Sequence, residues 1–158
     1  MPFSDLSVLL THAAATMFMA GVIWTIQIVH YPLFSYADRE RFTPFHNDHS
    51  RRITWIVGAG MGVELLSALA LVVWTPERVG RPLAVFAFGV LALVHVATVT
   101  LSIPSHNRLG GGWNEIAHRR LVSTNWVRTI GWTVRAALAL VMIARFAQPL
   151  TRLGANSL

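Results

Sequence analysis

The sequence predicts an all-α fold: an integral membrane, up-down four-helix bundle. Three observations carry this. Four apolar stretches fill most of the 158 residues, and each is about 20 residues long, enough to cross a ~30 Å hydrocarbon core as a helix. Only 13% of residues are charged, against ~25% in a soluble domain. No strand alternation, internal repeat or low-complexity tract interrupts the pattern.

Taken in order, the whole chain, 1–158, reads as one transmembrane domain. The first span covers 6–31, and Pro32 is expected to end it. The N-terminus lacks a basic segment and a small-residue cleavage site before its apolar run, so this span is expected to be retained. The segment Ser35–Phe42 is polar, with Ser35 placed to cap a turn. Thr43-Pro44 reads as a helix start, Thr as N-cap and Pro at the first helical position. The second helix therefore begins with an extension over 43–52 before its span, 53–74. Pro76 and Pro82 bracket a turn. The third span, 83–103, is expected to end at Pro104. Gly110-Gly111-Gly112 breaks the chain, and a helix restarts near Trp113 or Asn114. Its extension, 113–120, leads into the fourth span, 121–144, and the tail after Pro149 is expected to fray.

Up-down topology gathers the end of span one, the start of two, the end of three and the start of four at one end. That end carries Arg39, Arg41, Arg51, Arg52, Arg108, Arg119 and Arg120. The other end carries Arg78, Arg81, Arg145 and Arg152. All 13 basic residues are Arg, and the net charge is +6. The asymmetry predicts a multi-pass membrane protein with the Arg-rich end cytoplasmic and both termini outside. No aromatic-basic surface module accompanies the charge, which points to lipid headgroups and away from nucleic acid. Cysteine is absent, which excludes disulfides and any thiolate-based cofactor.

The span interiors are not clean. A charge at the bilayer centre costs roughly 2.5–3.5 kcal/mol on insertion scales, so polar residues there should face a shared interior. At 100° per residue, His46, Ile53, Val57, Gly60 and Glu64 fall on one stripe of the second helix. His118, Asn125, Arg128, Trp132 and Arg135 fall in one sector of the fourth. Trp24, Gln27 and His30 line a face of the first, and His95, Thr98 and Ser102 a face of the third. At 1.5 Å per residue, Gln27 and His95 lie roughly 10–12 Å deep and Glu64 about 18 Å, level with Arg135. The expectation is a Glu64–Arg135 ion pair, either a structural lock or part of a site. Five of the seven histidines, His30, His46, His49, His106 and His118, lie at the Arg-rich end. His46-x-x-His49, with His30, has the spacing of metal ligands; a solvated turn with Asp48 is the alternative. Gly58-Ala59-Gly60-Met61-Gly62 reads as close helix packing.

The run Ile103-Pro104-Ser105-His106-Asn107-Arg108-Leu109, followed by Thr124-Asn125-Trp126-Val127-Arg128-Thr129, resembles the last third of the anthrone-oxygenase-like family. Those are small four-span membrane proteins of bacteria and fungi. In the first half, Trp24-x-x-Gln27-x-x-His30-Tyr31-Pro32 and His46-x-x-His49 resemble a bacterial branch of it. Fungal members are implicated in oxidising anthrones to anthraquinones. The resemblance implies a place in the site for His106, Asn125 and Arg128.

Three functions fit these readings. The first is a membrane-embedded oxidoreductase or oxygenase acting on a small apolar, aromatic or quinone-like molecule. Arg128 and Asn125 would hold its oxygen. His95, His106 or His46 would act as base or metal ligand, and Trp132 would pack on the substrate, with Gln27, Trp24, Glu64 and Arg135 around it. The second is a non-enzymatic binding or partner subunit whose polar core fixes helix register. The third is a haem or metal carrier using the histidines of the Arg-rich end. The bilayer and a small apolar ligand are the expected partners, and the oligomeric state is open.

Overall fold

The computed structural model describes residues 2–148, with side chains placed from residue 5; the tail from Pro149 on, Arg152 included, lies outside them. Four long helical rods run up and down. We label them α1 to α4. Rod α1 is an α-helix over Pro2–Thr25, a π-helical stretch over Ile26–His30, an α turn over Tyr31–Leu33 and a 3₁₀ turn over Phe34–Tyr36. Rod α2 is continuous over Phe42–Val73. Rod α3 comprises Arg81–Ala97, a π-helical stretch over Thr98–Ser102, and Ile103–Gly110. Rod α4 covers Glu115–Ala147. All four are long and apolar enough to cross a membrane.

The expected extensions exist, fused to the long helices. Asn114 caps α4, its side chain accepting from the Ala117 amide. The expected start of α2 is two residues late. Arg41 stands at its N-cap position without a side-chain bond, and Thr43 and Pro44 already lie in the first turn. Asp38 Oδ1 instead accepts from the Glu40 and Arg41 amides at 2.8 and 3.1 Å, which turns the chain into α2. Ser35 does not cap a following helix; its Oγ donates back to the Pro32 carbonyl at 2.8 Å.

Pro32 and Pro104 do not end their helices. A proline inside an α-helix lacks one donor and its ring meets the carbonyl four residues back. Here each comes just after a wide π turn. Tyr31 N–H reaches Ile26 O and Ile103 N–H reaches Thr98 O, one residue beyond the α spacing. The widened turn accommodates the ring, and a new α turn starts with Pro in its first positions. Such turns are frequent at functional sites. Both sit immediately before residues of the histidine end.

Packing is layered. Leu9, Leu71, Val79, Ala87 and Met142 form a core at the end away from the histidines. Met19, Ile23, Ala68, Leu91, Val94 and Trp132 form the middle. Tyr31, Phe34, Phe42, Leu109 and Leu121 close the histidine end. Two glycines permit close approach. A Cβ on Gly60 would lie 2.5 Å from Met19 Sδ of α1, and one on Gly131 would meet Val94 of α3. Gly58 and Gly62 face open space, so only the middle member of that glycine run packs helix on helix.

Candidate functional site

Polar side chains gather in three groups along the bundle. The deepest, away from the histidine end, joins all four helices. Arg135 of α4 forms an ion pair with Glu64 of α2, both buried. Its Nη1 donates to the Ala87 carbonyl of α3 at 2.5 Å, and its Nη2 to His12 Nε2 of α1 at 3.2 Å. Arg has no acceptor, so His12 Nε2 must accept and its proton sits on Nδ1. That Nδ1–H donates to Ser67 Oγ at 3.2 Å, and Ser67 Oγ donates to the Glu64 carbonyl at 3.0 Å. Thr16 Oγ1 lies 3.2 Å from Glu64 Oε1.

The middle group joins α1, α3 and α4. Gln27 Nε2 donates to the Val122 carbonyl at 3.2 Å, and Gln27 Oε1 accepts from Asn125 Nδ2 at 2.9 Å. Asn125 Oδ1 and Ser102 Oγ accept from Arg128 Nη1 at 3.0 and 3.3 Å. Thr129 Oγ1 stands 3.3 Å from Gln27 Oε1. Gln27, Asn125, Arg128 and Thr129 are all buried. The Arg128 guanidinium also lies beside the Tyr31 hydroxyl.

The third group is the histidine end. His30 Nε2 and His49 Nδ1 are 2.8 Å apart, joining α1 to α2. His46 Nε2 and His106 Nδ1 are 3.1 Å apart, joining α2 to α3. His106 Nε2 lies 2.9 Å from the Tyr31 hydroxyl. Phe34 wedges between the pairs, its ring centroid 5.3, 5.0 and 5.7 Å from those of His30, His49 and His46. His118 Nε2–H donates to the Tyr31 carbonyl at 2.8 Å and holds that turn against α4.

Of the cavities at this end, two lie against the histidine pairs. A groove of about 790 Å³ runs between α1 and α2. Met17, Phe18, Gly21, Val22, Ile26, Val29, Ile53 and Ile56 make its apolar length, and His30, His49, Asp48 and Arg52 its polar end. Asp48 is tied to Arg51 and Arg52 at 2.5 and 2.6 Å, exposed pairs of little worth to stability. A more polar cavity of about 530 Å³ opens between α2 and α3, lined by His46, Asn47, Ser50, Thr54, His106 and Asn107.

The sequence-derived residues divide accordingly. The stripes on α2 and α4 face inward as expected. His118, Asn125, Arg128, Trp132 and Arg135 are all buried, as are His46 and Glu64. The stripe on α1 does not hold. Gln27 is buried, but Trp24 is 41% exposed, donating Nε1–H to Thr133 Oγ1 at 3.0 Å and packing edge-on to Trp126. A π turn advances by fewer degrees per residue than the assumed 100°, so residues across 26–30 shift face. His95 is half-buried, and its Nδ1–H donates to its own helix at Leu91 O, 3.0 Å away. Neither cavity beside the histidines is lined by Gln27, Glu64, His95, Asn125, Arg128, Trp132 or Arg135.

The three residues expected as metal ligands reach one corner, but in a different arrangement. His30 pairs with His49 while His46 pairs with His106, so the rings spend nitrogens on one another. Among the described residues no three His, Asp or Glu side chains stand around a common point that could hold a metal ion. Nitrogens on tetrahedral zinc lie about 3.3 Å apart at its ~2.0–2.1 Å bond length, further than either pair.

Sequence reasoning missed His12, Thr16, Ser67 and Tyr31. A signal existed for the first two: Leu9, His12, Thr16, Met19 and Ile23 fall on one helical stripe, and all are buried. Tyr31 gave no comparable signal, because the π turn that aims it is set by Pro32 and the packing around it.

No protein-family model, curated protein or solved structure matches this chain.

Proposed function

We propose that this is a multi-pass membrane protein that binds a small aromatic molecule of the quinone or phenol class in the α1–α2 groove. Its own contribution is proton transfer to and from the ligand oxygen at the histidine end, the acid–base half of an oxidation. The single observation that carries this is the groove itself: an apolar channel ending at the His30–His49 pair. An aromatic body matches the channel, and an oxygen would meet imidazole, the usual acid–base group near neutral pH.

Membrane insertion is supported by the outer surface. Leu66, Leu93, Val99 and Ile130 are each more than half exposed, and patches of that extent on soluble monomers are rare. The Arg excess at the histidine end supports its cytoplasmic placement in a bacterial inner membrane.

Gln27, Asn125 and Arg128 have hydrogen bonds within the bundle, as do Glu64 and Arg135. That supports a positioning role for them: they hold α1 and α4 in the register that aims Tyr31 and the histidines. The ligand-holding role passes to the groove. His106 keeps its place in the proposed chemistry through Tyr31 and His46.

Gly21 offers a direct test. It lines the groove, and a Cβ there would meet nothing within 4 Å. Gly21→Leu should therefore fill the channel and leave the bundle folded. In lipid nanodiscs, wild type should bind 1,4-naphthoquinone and 2-naphthol saturably, and the variant should not. Equal uptake by both proteins would remove the groove as the site.

A further inference from the structure

A third cavity at the histidine end, of about 680 Å³, opens on the seam between α1 and α4. Pro32 and Ser35 of α1 form one wall, and Arg119, Arg120, Ser123 and Trp126 of α4 the other. His118 also lines it, and its 2.8 Å bond to the Tyr31 carbonyl holds the two walls together. Neither histidine pair reaches this cavity, and the groove ligand does not use it.

The charge here is positive and little compensated. Among the described residues no acid lines the cavity. The Arg120 guanidinium has no hydrogen bond or ion pair among them. Arg119 meets Glu115 at 3.4 Å, an exposed contact that a stronger anion can displace. Arg39 donates to the Ser35 carbonyl at 3.1 Å, which sets a third guanidinium beside the α1 wall. The Ser35 and Ser123 hydroxyls donate to their own helices and can turn out to a ligand oxygen.

An apolar track continues from the cavity. Arg119, Ser123, Trp126 and Ile130 follow one another on one stripe of α4. Arg120 and Trp126 stand about 9 Å apart along the helix. Trp126 is 41% exposed, and Val127 and Ile130 beyond it are 51% and 59% exposed. Trp126 packs edge-on against Trp24 of α1, so the track stays on the same seam. Cationic pocket, indole and bare aliphatic surface follow the order of phosphate, glycerol esters and acyl chain in a phospholipid. A soluble phosphate would use the pocket and leave the track bare.

We propose that this seam seats an anionic phospholipid, its phosphate between Arg119 and Arg120 and an acyl chain along Trp126 and Ile130. This rests on the membrane-spanning reading above. Guanidinium groups suit a phosphate because they donate to it in a planar fork. Basic pockets between spans on the cytoplasmic side are where such headgroups settle. The lipid joins the Pro32–Ser35 turn to α4 and so braces the segment that carries His30 and Tyr31.

The test is native mass spectrometry of the full chain in mild detergent, titrated with phosphatidylglycerol or with phosphatidylcholine of the same acyl chains. Wild type should retain phosphatidylglycerol at least about 10-fold more tightly, the worth of one charge-assisted hydrogen bond. Arg119→Gln with Arg120→Gln should abolish that preference. Arg41→Gln with Arg108→Gln takes the same charge from the same end, at exposed positions outside the cavity, and should keep it. Equal losses in the two double variants would mean diffuse attraction and overturn the seat, as would equal binding of the two lipids by wild type. Displacement of phosphatidylglycerol by millimolar inorganic phosphate, but not by chloride of equal ionic strength, would give the cavity to a soluble anion and overturn it too. A chain that stays monodisperse without detergent fails the membrane reading; a chain that needs detergent and binds neither lipid fails the seat alone.

Discussion

The Arg135 guanidinium of α4 and the Glu64 carboxylate of α2 meet as a buried ion pair, and His12 of α1 and the Ala87 carbonyl of α3 complete the junction. One side chain therefore ties α4 to every other helix. The Glu64 Oε2 and Arg135 Nε atoms have no partner among the described residues, so the pair is not fully compensated. A hydrophobic pair could match it in stability; what it supplies is register.

Removing one partner should cost far more than removing both. Glu64→Gln leaves Arg135 buried with a weakened partner, at about 3–5 kcal/mol. Glu64→Gln with Arg135→Met should recover much of that loss. Thermal unfolding in mild detergent of the two singles and the double gives the coupling. Additive losses would mean that the two residues act independently.

Gly131 should tolerate no side chain. A Cβ there runs into Val94 of α3, so Gly131→Ala is expected to destabilise by about 1–3 kcal/mol through overpacking. Gly89→Ala, where nothing lies within 4 Å, should be neutral or slightly stabilising. Unfolding midpoints of the two variants check this, and equal midpoints would contradict the tight α3–α4 contact.

The absence of cysteine makes topology measurable with single thiols. Glu40 and Gly111 stand in loops at the histidine end and Glu77 at the other, all exposed. In intact cells an impermeant maleimide should label Glu77→Cys and spare Glu40→Cys and Gly111→Cys. The reverse pattern would invert the orientation, and labelling of all three would remove the membrane-spanning reading.

Much of this was legible because lipid-like periodicity is strict wherever the helix is regular. On α4 the 100° rule places His118, Asn125, Arg128, Trp132 and Arg135 on the buried face without error. The rise of about 1.5 Å per residue sets Glu64 level with Arg135, and the two pair across their helices. The periodicity rule fails where the helix stops being α. The π turns before Pro32 and Pro104 rotate the later residues of each rod against the earlier ones. Trp24 precedes the first π turn and, one residue past Ile23, falls off the buried Leu9–Ile23 stripe by regular α periodicity, while Gln27 and Tyr31 are buried. The pairing of His30 with His49 and of His46 with His106 depends on that rotation and on how three helices converge. Sequence spacing gives sidedness but not which ring meets which. The groove was invisible for the same reason, since it is the space left between α1 and α2.

The most direct measurement of the central claim is where a ligand sits. A diazirine-tagged naphthol should be photolysed with the protein in nanodiscs and the adducts mapped by mass spectrometry. Adducts concentrated on Met17, Phe45 and Ile53, which line the groove, and competed by untagged 2-naphthol, are the expected result. Adducts spread over the outward Val127 and Ile130 of α4, or unaffected by competitor, would contradict it.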